Sequence, residues 1–500
     1  GHCHILILFF LTDKGRREWK GANNEMKRML SGDLLILLMT AISFGCQAMT
    51  EEAGAKQGTA YYVAANGNDK HPGTKQKPFR TLKKAASIAK AGTTVYMRGG
   101  TYKEKLIVRH SGTKKAPVVF QAYGKEKPVI SGASLKGNQA DGGLVKVDQK
   151  SYITLKGLTV GHIKTNQEDV TPIGIFITGS GKGVKLLNNR VYDIQTTHQN
   201  GNAHGIAVYG TKAPAAIEDI EIKGNTVEKL KLGFSEALVL NGNVKKFRVT
   251  HNTVRHTDNI GIDLIGFENV APSKKYDQVR NGVVSRNKVY EITSVGNPAY
   301  GKDISAGGIY VDGGKDIVID HNISHHNDLG IEVTSEHKGK MAERIRIEHN
   351  QVYLNRYTGI SIGGYDKKRG GTTNTTISHN ILYKNDTAGL EGGQLLMQYQ
   401  SVNNRITNNI MTASASHYLV VNLYEVNKKN TFQKNVYDDR KGAKASQWVW
   451  RGKWLEGYKT YRSKSGQDKG SAHLNPQFVN EKKYDFRLKA SSPAKKIIGS

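Results

Sequence analysis

Short runs of alternating apolar and polar residues recur along the chain, and each run ends at an asparagine with another apolar residue one or two positions further on. Successive side chains of a strand face opposite sides, so each run predicts a short strand that buries one face. Eight copies are spaced 27 to 36 residues apart, a period that indicates a repeat fold. The recurring asparagines are Asn189, Asn225, Asn252, Asn287, Asn322, Asn350, Asn380 and Asn409.

A second type of short strand follows most of these asparagines. Its copies are GIAVYG (205–210), ALVLNG (237–242), GIDLIG (261–266), GIYVDG (308–313), GIEVTS (330–335) and GISIGG (359–364). Several short strands in each repeat, with asparagine at one corner, predict an all-β fold, the right-handed parallel β-helix. In such a solenoid each coil buries its Ile, Val and Leu against the coils above and below.

The two ends of the predicted solenoid need caps that cover the exposed strand edges. Residues 79–91 carry apolar positions at helical spacing and are followed by Gly92, which predicts a short N-terminal capping helix. We expect one domain over residues 59–500. In it, 59–130 form the N-terminal cap and first rungs, 150–440 the central rungs and 441–500 the C-terminal cap.

Residues 1–48 are typical of targeting rather than of folded structure. The basic MKR at 26–28 precedes the apolar LLILL at 34–38 and a small-residue segment ending at Ala48, which is the layout of a signal peptide. We expect residues 1–25 to be an extension upstream of this signal peptide. The apolar run is too short to span a membrane. We therefore expect a secreted, periplasmic or cell-surface protein, and lipid anchoring at Cys46 is a less favoured alternative.

Composition narrows the classes of function. The only cysteines, Cys3 and Cys46, lie in this leader, so a mature form has no disulfide, thiolate metal site or cysteine nucleophile. Lys and Arg exceed Asp and Glu by 30, and the excess is spread along the chain. A basic field of this kind attracts polyanions such as an anionic polysaccharide. Nucleic acid suits the charge but not the export signal, and we expect a monomer.

Acidic side chains concentrate in the stretch 308–337. If the second strands are consecutive rungs, one outward column contains Asp263, Tyr310 and Glu332, and the next contains Asp312. Like charges on one sheet face repel, so their proximity indicates a shared proton, cation or substrate. The segments 268–280, 294–306 and 336–342 interrupt the repeat and are expected to wall a cleft above these rungs.

Two further stretches carry a family resemblance. The opening YYVAANGNDKHPGTKQKPFRTLKKAASIAKAG…VYMRGGTY resembles the start of secreted β-helix polysaccharide lyases and their relatives, and the closing LNPQFVNEKKYDFRLKASSPAKKIIG resembles their end. The resemblance covers nearly all of the mature chain. It implies a carbohydrate-active enzyme with the pectate-lyase-like fold, without specifying the reaction.

The favoured hypothesis is β-elimination on a uronate polysaccharide. Elimination requires a neutralised carboxylate and a positioned base. The resemblance implies a lysine or arginine base with calcium, or in some of these lyases a Tyr/Lys pair. Carboxylates also suit Ca²⁺, which prefers several oxygen ligands. The candidate calcium ligands are Asp263, Asp312 and Glu332. The candidate bases are Lys231, Tyr209, Tyr310, Lys302 and His337. The candidate substrate-binding residues are Glu236, Asn241, Glu268, Lys302 and Tyr365.

Two alternatives remain open from the sequence. A glycoside hydrolase needs two carboxylates, and the Cβ atoms of Asp312 and Glu332 are expected roughly 8 Å apart from rung and strand spacings. The order IYVD…NDLGIEV also resembles the catalytic strands of bacterial β-helix β-xylosidases, which implies Asp312 as nucleophile and Glu332 as acid/base. A non-catalytic polysaccharide-binding β-helix ranks third, because it would favour aromatic stripes over a carboxylate cluster.

Overall fold

A computed structural model describes residues 58–499 and shows a parallel β-helix with three long faces, here called sheets A, B and C. The strand pairings are parallel and run from each coil to the next, apart from antiparallel pairings near the C-terminus. The predicted fold class is confirmed. Residues 59–499 belong to one compact unit, and the predicted leader and both cysteines lie outside the described residues.

Each coil of the solenoid contributes strand residues to each of the three sheets. Sheet A contains Thr59–Val63, Thr93–Met97, Val118–Ala122, Ile153–Lys156, Gly181–Lys182, Lys185–Leu187, Ile217–Glu218, Glu221–Lys223, Val244–Lys245, Arg248–Thr250, Arg280–Ser285, Lys315–Asp320, Met341–Glu348, Gly371–Thr373, Thr376–Ser378, Ser401–Val402, Arg405–Thr407 and Thr431–Gln433. Sheet B contains Gly100–Tyr102, Pro128–Ser131, Thr159–Thr165, Arg190–Thr196, Thr226–Lys231, Thr253–Thr257, Lys288–Ile292, Ile323–His325, Gln351–Tyr353, Ile381–Tyr383, Ile410–Thr412, Val436–Asp438 and Ala472–His473. Sheet C contains Leu106–Ile107, Gly142–Asp148, Pro172–Thr178, His204–Gly210, Leu238–Gly242, Ile262–Ile265, Gly307–Asp312, Leu329–Thr334, Thr358–Ile362, Leu395–Met397, Tyr418–Asn422, Gln447–Trp450 and Lys453–Glu456.

The asparagine corner lies between sheets A and B and is held by side-chain amides. Asn322 accepts the backbone N–H of Asn287 at 2.9 Å, and its own amide group donates to Val284 O at 2.9 Å and to Asn350 Oδ1 at 3.0 Å. The same pattern links all eight predicted asparagines and continues to Asn435. These amides satisfy backbone groups that the tight corner leaves unpaired inside the solenoid.

The N-terminal cap contains the predicted helix in a shorter form, Leu82–Ile88. The helix begins late because Thr81 is its N-cap, with Oγ1 accepting the N–H of Lys84 at 3.0 Å, and Phe79 instead bridges to the first strand at Val63. Its last residue is Ile88, and its C-cap is Ala89 rather than the predicted Gly92.

The C-terminal end is closed by helices and by an antiparallel hairpin. The helices are Tyr458–Ser465 and Lys495–Ile498, and the hairpin joins Phe478–Asn480 to Asp485–Leu488. Short 3₁₀ turns lie at Gly137–Ala140 and Glu481–Lys483. Within residues 58–499, no helix has the length and apolar character that a membrane span requires.

Candidate active site

The register of sheet C aligns the acidic side chains as the repeat predicted. Asp263 pairs with Tyr310, Tyr310 with Glu332, and Glu332 with Ser361, so these residues form one column on the outer face. In the next column Tyr209 pairs with Asn241, and Asp312 pairs with Thr334. The β-helix therefore sets the acids one or two rungs apart, at about 4.8 Å per rung.

These outward side chains are nonetheless buried. Asp263 is 2% exposed, Tyr310 and Asp312 are each 3% exposed, and Glu332 is 7% exposed. We expected the segments between coils to wall a cleft above these rungs, and segment 294–306 does so. Carboxylates withdrawn from water in this way favour the protonated form.

The segment 294–306 is one of the covering walls, and Asp328 holds its two ends together. Asp328 Oδ2 accepts the backbone N–H groups of Ser294, Ser305 and Ala306 at 2.8, 3.1 and 3.1 Å. Further along the segment, the amide of Asn297 donates to Gly233 O at 2.8 Å. The wall is therefore fastened to the solenoid by backbone N–H groups at its two ends and by the Asn297 side chain between them.

A cavity of roughly 350 Å³ opens between this wall and sheet C. A volume of this order suits a small-molecule site. Tyrosines and acids predominate in its lining, and no Lys, Arg or His of the described residues contributes to it. The polar and aromatic lining residues are Tyr300, Tyr310, Tyr357, Tyr365, Asp303, Glu332, Glu336, Asn259, Ser305 and Gln398.

Glu332 and Glu336 are the two glutamates of the cavity. Burial, together with the nearby Glu336, raises the pKa of Glu332 to about 8, so Glu332 is protonated at neutral pH. Burial also raises the pKa of Glu336, but the Tyr310 hydroxyl, Arg369 and His337 act in the opposite direction. Tyr310 Oη donates to Glu336 Oε1 at 3.2 Å. Glu336 is therefore the better stabilised of the two as an anion.

Asp312 supports Glu336 from below. Its Oδ1 accepts the backbone N–H of Glu336 at 2.8 Å. Burial, and after it the charge of Glu336, raises the pKa of Asp312 well above its usual range. Asp312 is not among the residues that line the cavity, so it lies behind Glu336.

A second group of buried polar residues continues the site toward earlier coils. Burial and the neighbouring Glu268 and Glu336 raise the pKa of Glu236 to about 8. Burial and then Glu236 raise the pKa of Asp263 well above its usual range. Asp263 Oδ1 and Asn241 Oδ1 have no hydrogen-bond partner within the described chain. Glu236, Asp263, Asp312, Glu332 and Glu336 are called the acid cluster below.

His204 and Tyr209 border the acid cluster. Burial lowers the pKa of His204 to about 4, so its imidazole is neutral at physiological pH. Its Nδ1 lies 3.2 Å from Glu236 O, and its Nε2 lies 3.3 Å from Tyr209 Oη. Burial and then Glu236 raise the pKa of Tyr209 well above its usual range, which makes it a poor base.

Several predicted site residues lie away from the cavity. Lys231 is an exposed residue at the end of a sheet B strand, and its charge acts on Asp258. Lys302 is exposed in the wall segment. His337 Nε2 lies 3.9 Å from Glu268 Oε1, and both side chains are about 40% exposed. Lys231 and Lys302 are thus not among the residues that line the cavity, whereas His337 and Glu268 pair close to the cluster.

The structure adds three residues to the predicted site, Glu336, Tyr300 and Tyr357. Glu336 follows the strand Leu329–Thr334 by two residues, where strand alternation no longer tells which way a side chain points. Tyr357 immediately precedes the strand Thr358–Ile362 and Tyr300 lies in the wall segment. The sequence contains no periodic signal for either tyrosine.

The three candidate calcium ligands do not converge on one point. Asp263 and Glu332 share a column but are separated by the rung of Tyr310, which places their Cα atoms roughly 10 Å apart. No group of three or more His, Cys, Asp or Glu among the described residues is arranged to hold a metal ion. Ca²⁺ requires several oxygens around one centre, so this set does not fit the ion.

Comparison with known proteins places the chain in a family. A model described as "Pel9A-like, right handed beta helix region" matches residues 61–227. Protein YwoF of Bacillus subtilis is 48% identical over 470 residues, which cover 94% of this chain and 98% of YwoF. Pectate lyase PEL9 of Emericella nidulans is 40% identical over 82 residues, 16% of this chain and 20% of PEL9.

A solved structure of XylC with xylose superimposes with a TM-score of 0.51 at 14% identity, over 84% of this chain and 87% of XylC. At that identity the likeness is one of fold alone. YwoF, by contrast, matches almost from end to end at high identity. The chain therefore belongs to the same protein family as YwoF, and its first coils match the Pel9A-like right-handed β-helix.

Proposed function

We propose that the chain is a carbohydrate-active enzyme that hydrolyses a glycosidic bond in the cavity, with Glu332 as general acid and Glu336 as the carboxylate partner. One observation carries the proposal. Two glutamates line one cavity, and their surroundings give them different pKa values. Glu332 is protonated at neutral pH, whereas the ionised form of Glu336 is better stabilised. A pair of carboxyl groups with different pKa values is the minimum equipment of a glycoside hydrolase.

Glu332 suits the acid role. With a pKa of about 8 it holds a proton at neutral pH, on a side chain that is only 7% exposed. A general acid works best when its pKa lies near the operating pH, because the proton is then both present and transferable. Its proton would go to the glycosidic oxygen as the bond to the leaving sugar breaks. The anomeric carbon would gain an oxygen from water, either directly, with Glu336 as the base that takes the water proton, or after Glu336 has formed a covalent intermediate that water then hydrolyses.

Glu336 suits the partner role better than Asp312 does. Tyr310 donates a hydrogen bond to Glu336, and Arg369 and His337 favour its ionised form. Asp312 is deeper and holds its proton more strongly, and it accepts the backbone N–H of Glu336. We assign Asp312 to positioning Glu336, which departs from the sequence hypothesis of Asp312 as nucleophile.

β-Elimination on a uronate polymer is the second candidate. The net charge of +30, the Pel9A-like match and the name of PEL9 favour it. The family match, however, ends at residue 227, before the first member of the acid cluster. No Lys, Arg or His of the described residues lines the cavity directly, and Arg369, the cation beside it, already packs over the Tyr365 ring and acts on Glu336. Hydrolysis therefore suits the cavity better, and no step through a metal is proposed for either reaction.

Product chemistry separates the two reactions. Purified protein is incubated with neutral and acidic polysaccharides, and both reducing ends and ultraviolet absorbance are followed. Hydrolysis releases reducing ends without absorbance, whereas elimination creates an absorbing C=C bond. Uronate products that absorb would overturn the hydrolase assignment. Binding without any product would favour the non-catalytic alternative.

Variants at Asp312 separate positioning from nucleophilic attack. Asp312→Asn keeps an oxygen acceptor for the Glu336 N–H, so we expect its kcat to stay within about tenfold of the wild type. Asp312→Ala removes that acceptor and should lose about 10²-fold or more. If Asp312→Asn is as inactive as Asp312→Ala, Asp312 is the nucleophile and Glu336 is not.

Export of the protein stays a prediction, because the leader lies outside the described residues.

A further inference from the structure

A groove with three lysines lies at a corner of sheet A, on a different face and in earlier coils than the cavity. Its volume is roughly 470 Å³, and it is lined by Lys114, Pro117, Tyr152, Thr154, Lys182, Gly183, Lys185 and Asp219. Among these, the three lysines outnumber the single acid. The structure assigns this lysine groove as an accessory binding site for an anionic polysaccharide, separate from the site of cleavage.

The groove exists because one coil lacks a side chain at the corner. One corner position is occupied in successive coils by Tyr152, Gly183 and Asp219. This alignment follows from the strands beside the corner, where Lys185 pairs with Thr154 on one side and with Glu221 on the other. All three corner residues have positive φ values, 56°, 69° and 54°. A Cβ atom on Gly183 would lie 2.7 Å from Cδ1 of Tyr152. Glycine thus leaves a notch one coil high, into which the Tyr152 ring leans.

The notch combines the two contacts that an acidic sugar needs. The half-buried Tyr152 ring offers an apolar surface against which the C–H face of a sugar can pack. The ammonium groups of the lysines supply mobile point charges for the carboxylates. The volume is sufficient for one or two sugar units, with the chain continuing along the open corner.

The neighbouring acids do not cancel these lysines. Lys182 Nζ lies 3.5 Å from Asp219 Oδ2 and 3.9 Å from Glu218 Oε1, while Lys185 Nζ lies 4.0 Å from Glu221 Oε2. The lysine side chains in these pairs are about half exposed, and exposed pairs of this kind are worth little, so a polyanion can replace them. Lys114 has no ion pair within the described residues.

The test compares two triple variants of equal charge. The groove variant is Lys114→Gln/Lys182→Gln/Lys185→Gln, and the control variant is Lys428→Gln/Lys429→Gln/Lys434→Gln, which changes exposed lysines of later coils. Binding to polygalacturonate is measured by affinity electrophoresis at low salt, with an uncharged galactan as reference polymer. Circular dichroism and thermal unfolding confirm that both variants fold.

We expect the groove variant to bind polygalacturonate at least about tenfold more weakly and the control variant within about twofold of the wild type. Equal losses in both variants would mean that diffuse charge alone binds the polymer, which would overturn the assignment. Wild-type binding by the groove variant would overturn it as well. Because no cleavage is read out, the result does not depend on which reaction occurs in the cavity.

Discussion

Replacing Glu332 by glutamine tests the protonation on which the proposed chemistry depends. The substitution keeps the shape of the side chain but removes its titration. In the wild type, burial raises the pKa of Glu332 from its ordinary 4.5 to about 8. The folded state therefore binds this proton more tightly than the unfolded state does. The resulting stabilisation is complete below pH 4.5 and is lost as the pH rises to about 8.

The magnitude follows from the two pKa values. The whole difference corresponds to about 5 kcal/mol at most, since each tenfold change in proton affinity is worth about 1.4 kcal/mol. Between about pH 5 and about pH 8, the wild type should lose about 3.5 kcal/mol of unfolding free energy relative to Glu332→Gln. This is a large share of the stability of a typical protein.

Guanidinium denaturation at several pH values measures this difference. Glu168→Gln, at an exposed glutamate, serves as the control and should follow the wild type at every pH. A difference between wild type and Glu332→Gln that does not change with pH would refute the buried-proton argument. A wild type that gains stability relative to the variant as the pH rises would mean that Glu332 is ionised and paired with a cation.

Further predictions concern activity and the solenoid. Because Glu332 must hold its proton to act, kcat should fall above about pH 8, and Glu332→Gln should lower kcat by about 10²- to 10⁴-fold in steady-state assays. Since the three candidate calcium ligands do not converge, a chelator should leave activity unchanged, and loss of activity restored by Ca²⁺ would contradict this geometry. Asn322→Ala removes the acceptor of the Asn287 backbone N–H, one of the two acceptors of Asn287 Nδ2 and the donor to Val284 O, which should cost about 2–4 kcal/mol by chemical denaturation. Added salt should weaken turnover of an anionic polymer but not of a small uncharged glycoside, because surface charges are screened.

The fold and the columns of the site were predictable because both depend on a local repeat. Strand alternation and the corner asparagines recur in each coil, so the register of Asp263, Tyr310 and Glu332 follows once consecutive rungs are recognised. A parallel β-helix repeats the same pairing from coil to coil. Local pattern was therefore sufficient to align residues that are far apart in the chain.

The segments that interrupt the repeat predicted walls beside the site, but the depth to which those walls bury the acids was not predictable from the sequence. The wall 294–306 is held by contacts such as Asn297 Nδ2 to Gly233 O, across 64 residues of sequence. A repeating sequence pattern gives no information about such a contact. The same limit explains Glu336, which lies beyond its strand, and Lys231, whose strand belongs to sheet B rather than to the site.

The strong positive charge of the chain does not conflict with its acidic cavity. The charge attracts ligands from solution at long range, whereas the cavity acts only on a sugar that has already entered it. The net charge of +30 acts through water over the outer faces, where it can draw an anionic polymer to the lysine groove. The acid cluster lies beneath its covering segments, where burial keeps several of its carboxyl groups protonated. An uncharged sugar can enter such a cavity without electrostatic penalty, whereas a uronate needs a counter-charge there. A polymer with acidic and neutral sugars would satisfy both surfaces, with the acidic part bound at the groove and a neutral part cleaved in the cavity.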